Sequence, residues 1–126
     1  QSINRWKQME NYIVTIYAKE DYADEVGEYY KGLQSKYESA PGFIGRKIFR
    51  AKNGAMAAAV KATYSEEELA AGGEEDHDHG QHFVMIEDWE SIQDRINFGR
   101  TLSKEHHMKV IPYLLPNHSH EFYEDI

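Results

Sequence analysis

The apolar positions of this chain change period several times, and each change marks an element. Tyr12-Ile13-Val14-Thr15-Ile16-Tyr17-Ala18 is rich in β-branched and aromatic residues, the composition of a strand. Tyr12, Val14, Ile16 and Ala18 make one apolar face; Ile13, Thr15 and Tyr17 make a second, so this sheet needs cover on both sides. From about Tyr22 to Ser39 the period becomes helical, with Val26, Tyr29 or Tyr30, Leu33 and Tyr37 on one stripe. Asp21 is placed to cap this helix, and Asp24, Glu25 and Glu28 suit the positive end of its dipole. Pro41-Gly42 stops it. Phe43 to Arg50 reads as a second strand, and Asn53-Gly54 after it is a hairpin signal. Ala55 to Thr63 reads either as the returning strand or as a helix.

Ser65-Glu66-Glu67-Glu68-Leu69 predicts a capped helical turn, and Gly72 to Gln81 a mobile acidic loop. Phe83-Val84-Met85-Ile86 then opens a buried strand that runs through Trp89. Ser91 is a good N-cap, and Asp94 imitates the carboxylate of a capping box. Behind it Ile92, Ile96, Gly99, Ser103 and His106 share a face, with Leu102 and Val110 beside it. This spacing predicts one helix from Ser91 to Val110 that turns the stripe toward the sheet, with His106 and His107 near its end. Ser119 to Ile126 supplies a last strand. The order is strand, helix, strand pair, strand, helix, strand. It predicts an α+β fold of ferredoxin-like split βαβ type, an antiparallel sheet with helices on one face. Residues 10–126 form a single domain with an acidic insertion near 64–82. Residues 1–9 are an N-terminal segment in which Gln1-Ser2 resembles a tag remnant.

Composition narrows the function. The formal charge of -8 argues against nucleic acid or an anionic membrane as partner, since both need a basic surface. Without cysteine there is no disulfide, thiolate nucleophile or Cys-ligated zinc. No apolar run approaches the ~20 residues that span a bilayer, and no charged-then-apolar leader opens the chain, so a cytoplasmic protein is expected.

Three pieces carry a resemblance: the apolar first strand, Pro41-Gly42-Phe43-Ile44-Gly45 after the first helix, and Glu87-Asp88-Trp89-Glu90-Ser91 leading into a helix with a late histidine. Together they resemble the antibiotic biosynthesis monooxygenase family of dimeric α+β barrels, over most of Tyr12 to Ile126 except about residues 55–82. The resemblance implies a homodimer in which two sheets face each other, covering the second apolar face. It also implies a space between sheet and helices that takes an aromatic or quinone-like substrate, oxygenated by O2 without a cofactor. Non-catalytic ligand-binding or stress-associated dimers of this fold, and haem-degrading monooxygenases, are the alternatives.

The candidate residues have bland readings beside functional ones. Trp89 is either an apolar anchor at the strand-to-helix corner or a pocket wall that stacks on an aromatic substrate. His106 and His107 point roughly 100° apart on a helix, so only one can face a given pocket. Either is a candidate general base, because imidazole ordinarily titrates near about pH 6.5. The stripe favours His106 as the inward one. Haem-degrading relatives pair a first-strand Asn, a helix Trp and a His ten residues later. Asn11 can stand for the first and Asn97 occupies the Trp position counted from His107, leaving His107 as an axial ligand but the Trp missing. His77, His79 and His82 with Asp76 and Asp78 resemble a surface metal site, though a solvated loop explains them as well.

Overall fold

The computed structural model describes residues 9–71 and 80–126. Its strands are β1 (Glu10–Ala18), β2 (Phe43–Arg50), β3 (Gln81–Trp89) and β4 (Leu114–Tyr123). They form one antiparallel sheet in the order β2-β3-β1-β4, the ferredoxin-like arrangement. Register fixes which side chains share a face. Tyr12, Val14, Ile16 and Ala18 of β1 line up with Glu87, Met85, Phe83 and Gln81 of β3. On the other flank Tyr12, Val14 and Ile16 meet Phe122, His120 and His118 of β4.

Helices cover this face alone. α1 (Ala23–Lys31), α2 (Gln34–Glu38), α5 (Ile92–Thr101) and α6 (Lys104–Met108) pack two adjoining cores against it. One core gathers Ile16, Ala18, Val26, Phe83, Met85 and Val110; the other gathers Leu33, Tyr37, Trp89 and Phe98. The opposite face carries Ile13, Tyr17, Val84, Ile86, Phe49 and Tyr123, of which Phe49 is 50% exposed and Tyr123 49%.

Both long helices predicted from the stripes are interrupted, for local reasons. The first opens as a 3-10 turn over Glu20–Tyr22, with Tyr22 rather than Asp21 at the cap of α1, and it breaks at Gly32-Leu33. Glycine is a weak helix former, and Val26, Leu33 and Tyr37 stay buried across the break. The second breaks at Leu102-Ser103, because the Ser103 hydroxyl accepts from the His106 amide at 3.0 Å and caps a new helix. Ser91 caps α5 as expected, accepting from the Asp94 amide at 3.0 Å. The stripe itself is corrected. Ile92 and Ile96 are 42% and 44% exposed, while Phe98 is buried, so α5 presents Phe98 and Arg95 to the sheet.

Asn53-Gly54 does not make a tight hairpin. Gly54 adopts φ +79° and leads into α3 (Ala55–Thr63), a helix favoured by five alanines. α4 (Glu66–Ala71) follows, with a reciprocal box in which Ser65 and Glu68 cap each other at 2.8 and 3.2 Å. β2 and β3 are the hairpin strands, joined by this long connection. Their ends are tied by Gln81 Nε2, which donates to the Ala51 carbonyl at 2.8 Å. Gln81 is therefore buried in a strand and not part of a loop. His77, His79, Asp76 and Asp78, with the rest of the acidic loop up to residue 79, lie outside the described residues. Among those described, no helix is long and apolar enough to cross a membrane.

Candidate functional site

The two resemblance motifs meet at one corner of the sheet. Gly42 has φ +85°, and its carbonyl accepts from the Glu90 amide at 2.8 Å. The Asp94 carboxylate occupies the volume a Cβ at position 42 would need. So Pro41-Gly42 and Trp89-Glu90-Ser91 are two halves of one turn, and only glycine fits at 42.

Beneath that corner lies a polar cluster. Alternation along β3 puts Glu87 on the helix side between Met85 and Trp89, where it is 1% exposed. A buried carboxylate needs donors, and Glu87 has three: Tyr37 Oη at 2.6 Å, Trp89 Nε1 at 2.8 Å and Arg95 Nε at 2.7 Å. Arg95 also lies 4.6 Å over the Tyr12 ring, and Arg46 lies 4.1 Å over the Tyr37 ring. Burial, and then the Glu87 carboxylate, push the Tyr37 phenol well above the usual tyrosine range, so it stays a donor. Burial also lowers the Arg46 guanidinium.

A cavity of about 520 Å³ opens beside this cluster, between β1 and β4 of the sheet and the chain from α6 to Pro116. Val14, Ile16, Leu114 and Leu115 give it apolar walls, and His107, His118, His120 and Tyr30 bring polar groups. Strand alternation explains two of the imidazoles: His118 and His120 are two apart on β4, and their rings stack at 5.5 Å. Burial, with Tyr29 beside it, pushes the Tyr30 phenol up to about 12.

The residues singled out from sequence do not converge. His107 lines the cavity. His106 does not line it, yet it is the more buried of the two histidines, with its ring 5.3 Å from that of Tyr29 and its Nε2 enclosed without a hydrogen-bond partner among the described residues. Trp89 is fully enclosed in the second core, bonded to Glu87, and is not a cavity wall. Asn97 accepts from Gln93 at 3.0 Å and borders a different cleft, between α2 and α5. Asn11 sits on β1 in register with Asp88 and Tyr123, on the face the helices leave open. His82 stacks on Tyr17 at 4.4 Å on the same face. Among the described residues no cluster of three His, Cys, Asp or Glu could hold a metal ion. The sequence reading missed Glu87, Tyr37 and Arg95, and also His118 and His120. Parity could have found Glu87 and His120, since each falls on the inward register of its strand.

No protein-family model matches the sequence, and no curated protein matches it by sequence. Solved structures do match in fold. A candidate antibiotic biosynthesis monooxygenase from Nitrosomonas europaea aligns with a TM-score of 0.63 at 14% identity, covering 95% of this chain and 92% of that one. SnoaB, a cofactor-independent oxygenase from Streptomyces nogalater, aligns at 0.60 and 9% identity, covering 94% of each chain. A conserved protein from Methanosarcina mazei Go1 aligns at 0.62 and 12% identity, covering 97% of each. The class is therefore a ferredoxin-like α+β protein. Within that class, the chain has the fold of the antibiotic biosynthesis monooxygenase structures.

Proposed function

We propose that this protein is a small oxygenase that acts on a flat aromatic phenol bound in the cavity between β1, β4 and α6. The observation that carries the reading is three imidazoles, His107, His118 and His120, set into otherwise apolar walls. Such walls hold a planar hydrocarbon ring system, and a cavity of this size lies in the range typical of small-molecule sites. An imidazole takes the phenol proton and leaves a phenolate, which is a good electron donor. One electron passes to O2, and the resulting superoxide and phenoxyl radical join as a carbon hydroperoxide. Loss of water from a ring CH2 so oxidised leaves a ketone. One oxygen atom stays in the product and one leaves as water, and the substrate supplies both electrons, so no cofactor or external reductant is consumed. The description of SnoaB as a cofactor-independent oxygenase supports this assignment by likeness of fold.

A second copy of the chain completes the protein in this reading, closing the open sheet face of Ile13, Val84, Ile86 and Phe49. The competing reading is a ligand-binding dimer without chemistry. It draws on Trp89, whose indole is consumed by Glu87 inside the core and offers nothing to a substrate. Oxygen uptake with anthrone-like and naphthol-like phenols separates the two. The oxygenase predicts uptake that falls at least tenfold in His107→Ala or in a His118→Ala/His120→Ala double variant, and little in His106→Ala. Phenols that raise the melting temperature without consuming oxygen would establish the binder.

A further inference from the structure

The Glu87 cluster contains more positive than negative charge. Two guanidinium groups, Arg46 and Arg95, face one carboxylate, inside a chain whose formal charge is -8. The terminal nitrogens of Arg46 are committed, donating to Gln34 Oε1 at 3.1 Å and to the Tyr30 carbonyl at 2.7 Å, while its Nε is buried without a partner among the described residues. Those of Arg95 are not. Only its Nε is used, on Glu87, although its side chain is just 18% exposed. Nη1 and Nη2 have no hydrogen-bond acceptor among the described residues.

The surroundings hold these atoms in place and leave them uncovered. The guanidinium lies 4.6 Å over the Tyr12 ring and 5.5 Å from Phe98, so its plane is fixed from two sides. A Cβ on residue 99 would stand 3.2 Å from Nη1, tighter than ordinary contact, and Gly99 keeps that space empty. Arg95 is not itself a wall of the cavity; its guanidinium is connected to the cavity's end through Tyr12. Tyr12, beneath it, is one alternation from the wall residue Val14, a step of about 6.6 Å along a strand. The Tyr12 ring is 6.5 Å from that of His120, another wall residue.

We propose that Nη1 and Nη2 of Arg95 form an anion subsite at the Tyr12 end of the cavity, so that the occupant is an aromatic carboxylic acid. The proposal rests on the cavity being the substrate site. With Nε spent on Glu87, the remaining edge presents two parallel N–H groups, which matches the two oxygens of a planar carboxylate. Glu87 thus acts as a positioning residue, since its bond to Nε sets the direction of that fork. The ring system then extends from Tyr12 past Val14 and His120 toward His107.

The test compares 6-hydroxy-2-naphthoic acid with its methyl ester, by titration calorimetry under argon so that no turnover intervenes. A charge-assisted pair of this kind is worth roughly tenfold or more in affinity. Wild-type protein should bind the acid at least tenfold tighter than the ester. Arg95→Gln should reduce that preference below threefold. Because Arg95→Gln also removes a partner of buried Glu87, Gly99→Leu serves as the second variant. It leaves the Glu87 pair intact, lays a side chain over Nη1, and should cut the preference with the melting temperature retained. Equal binding of acid and ester by wild type overturns the subsite, as does a preference that survives both variants. Failure of both probes to bind overturns it together with the cavity reading. Selective binding of the acid without oxygen uptake by any phenol keeps the subsite and removes the oxygenase function alone.

Discussion

Removing one oxygen atom, by Tyr37→Phe, tests whether the Glu87 cluster holds the fold together. The ring stays, with its contacts to Phe98 at 4.3 Å and Trp89 at 6.1 Å, so packing changes little. What is lost is the 2.6 Å hydrogen bond to Glu87 Oε2. That oxygen belongs to a carboxylate that is 1% exposed, so water cannot readily replace the donor. A hydrogen bond to a charged group contributes about 1.5–3 kcal/mol. For a chain of this length that corresponds to a fall in melting temperature of roughly 6–12 °C. Tyr29→Phe is the matched control, because its hydroxyl donates to a backbone carbonyl, that of His106, at 3.0 Å in a half-buried place. A neutral bond of that kind contributes about 1 kcal/mol. Urea unfolding at fixed protein concentration, fitted with a common slope, measures both. If Tyr37→Phe costs no more than Tyr29→Phe, the carboxylate has another donor and the argument from burial is wrong.

Three further outcomes follow from particular contacts. Gly42→Ala should lower stability by about 1–3 kcal/mol from backbone strain alone, and by more because of the Asp94 clash; adding Asp94→Ala should recover only the second part, as urea midpoints would show. Sedimentation at micromolar concentration should find a homodimer, and Ile86→Lys on the open sheet face should shift it to monomer; a monomeric wild type would refute this. His106 should make the protein less stable in mild acid. Burial first, then Lys36, Lys109 and His107, lower its pKa, so protonation is disfavoured in the folded state. Stability should therefore fall as pH drops below about 6.5, the unfolded value. Melting curves between pH 5 and 8 should show a shallower fall in His106→Gln than in wild type.

Much of the fold was legible because strands announce themselves by composition and parity. The alternation in Tyr12–Ala18 and Phe83–Trp89 located the two central strands, and Pro41-Gly42 located the stop before β2. Helix phase was less legible. The Ile92, Ile96, Gly99 stripe has the right period but the wrong side, because Phe98 outweighs two isoleucines and Arg95 brings a buried carboxylate its counter-charge. Nor did period reveal that Ser103 would restart the helix, since a serine serves equally as an interior residue or a cap. Across that restart His106 is enclosed beside Tyr29 while His107 lines the cavity. Asn53-Gly54 misled for a different reason: the turn chemistry is present in Gly54, but alanine after it favours helix. Glu87 was hidden by its type, since a carboxylate in a strand reads as surface until its three donors, far apart in sequence, are assembled.

The position of β1 bears on how the protein is made. β1 is synthesised before the other described strands and lies at the centre of the sheet, paired among the described residues with β3 and β4. Its nearest partner begins at Gln81, after the whole of the α3 and α4 connection. At about 5–20 residues per second of synthesis, the doubly apolar strand Tyr12–Ala18 waits several seconds with neither edge paired. During that interval it is a template for any passing strand, including the same segment of a neighbouring nascent chain. A chaperone that shields extended apolar segments would therefore act on this chain early, before β3 emerges, and soluble yield should depend on it more than the stability of the finished fold suggests.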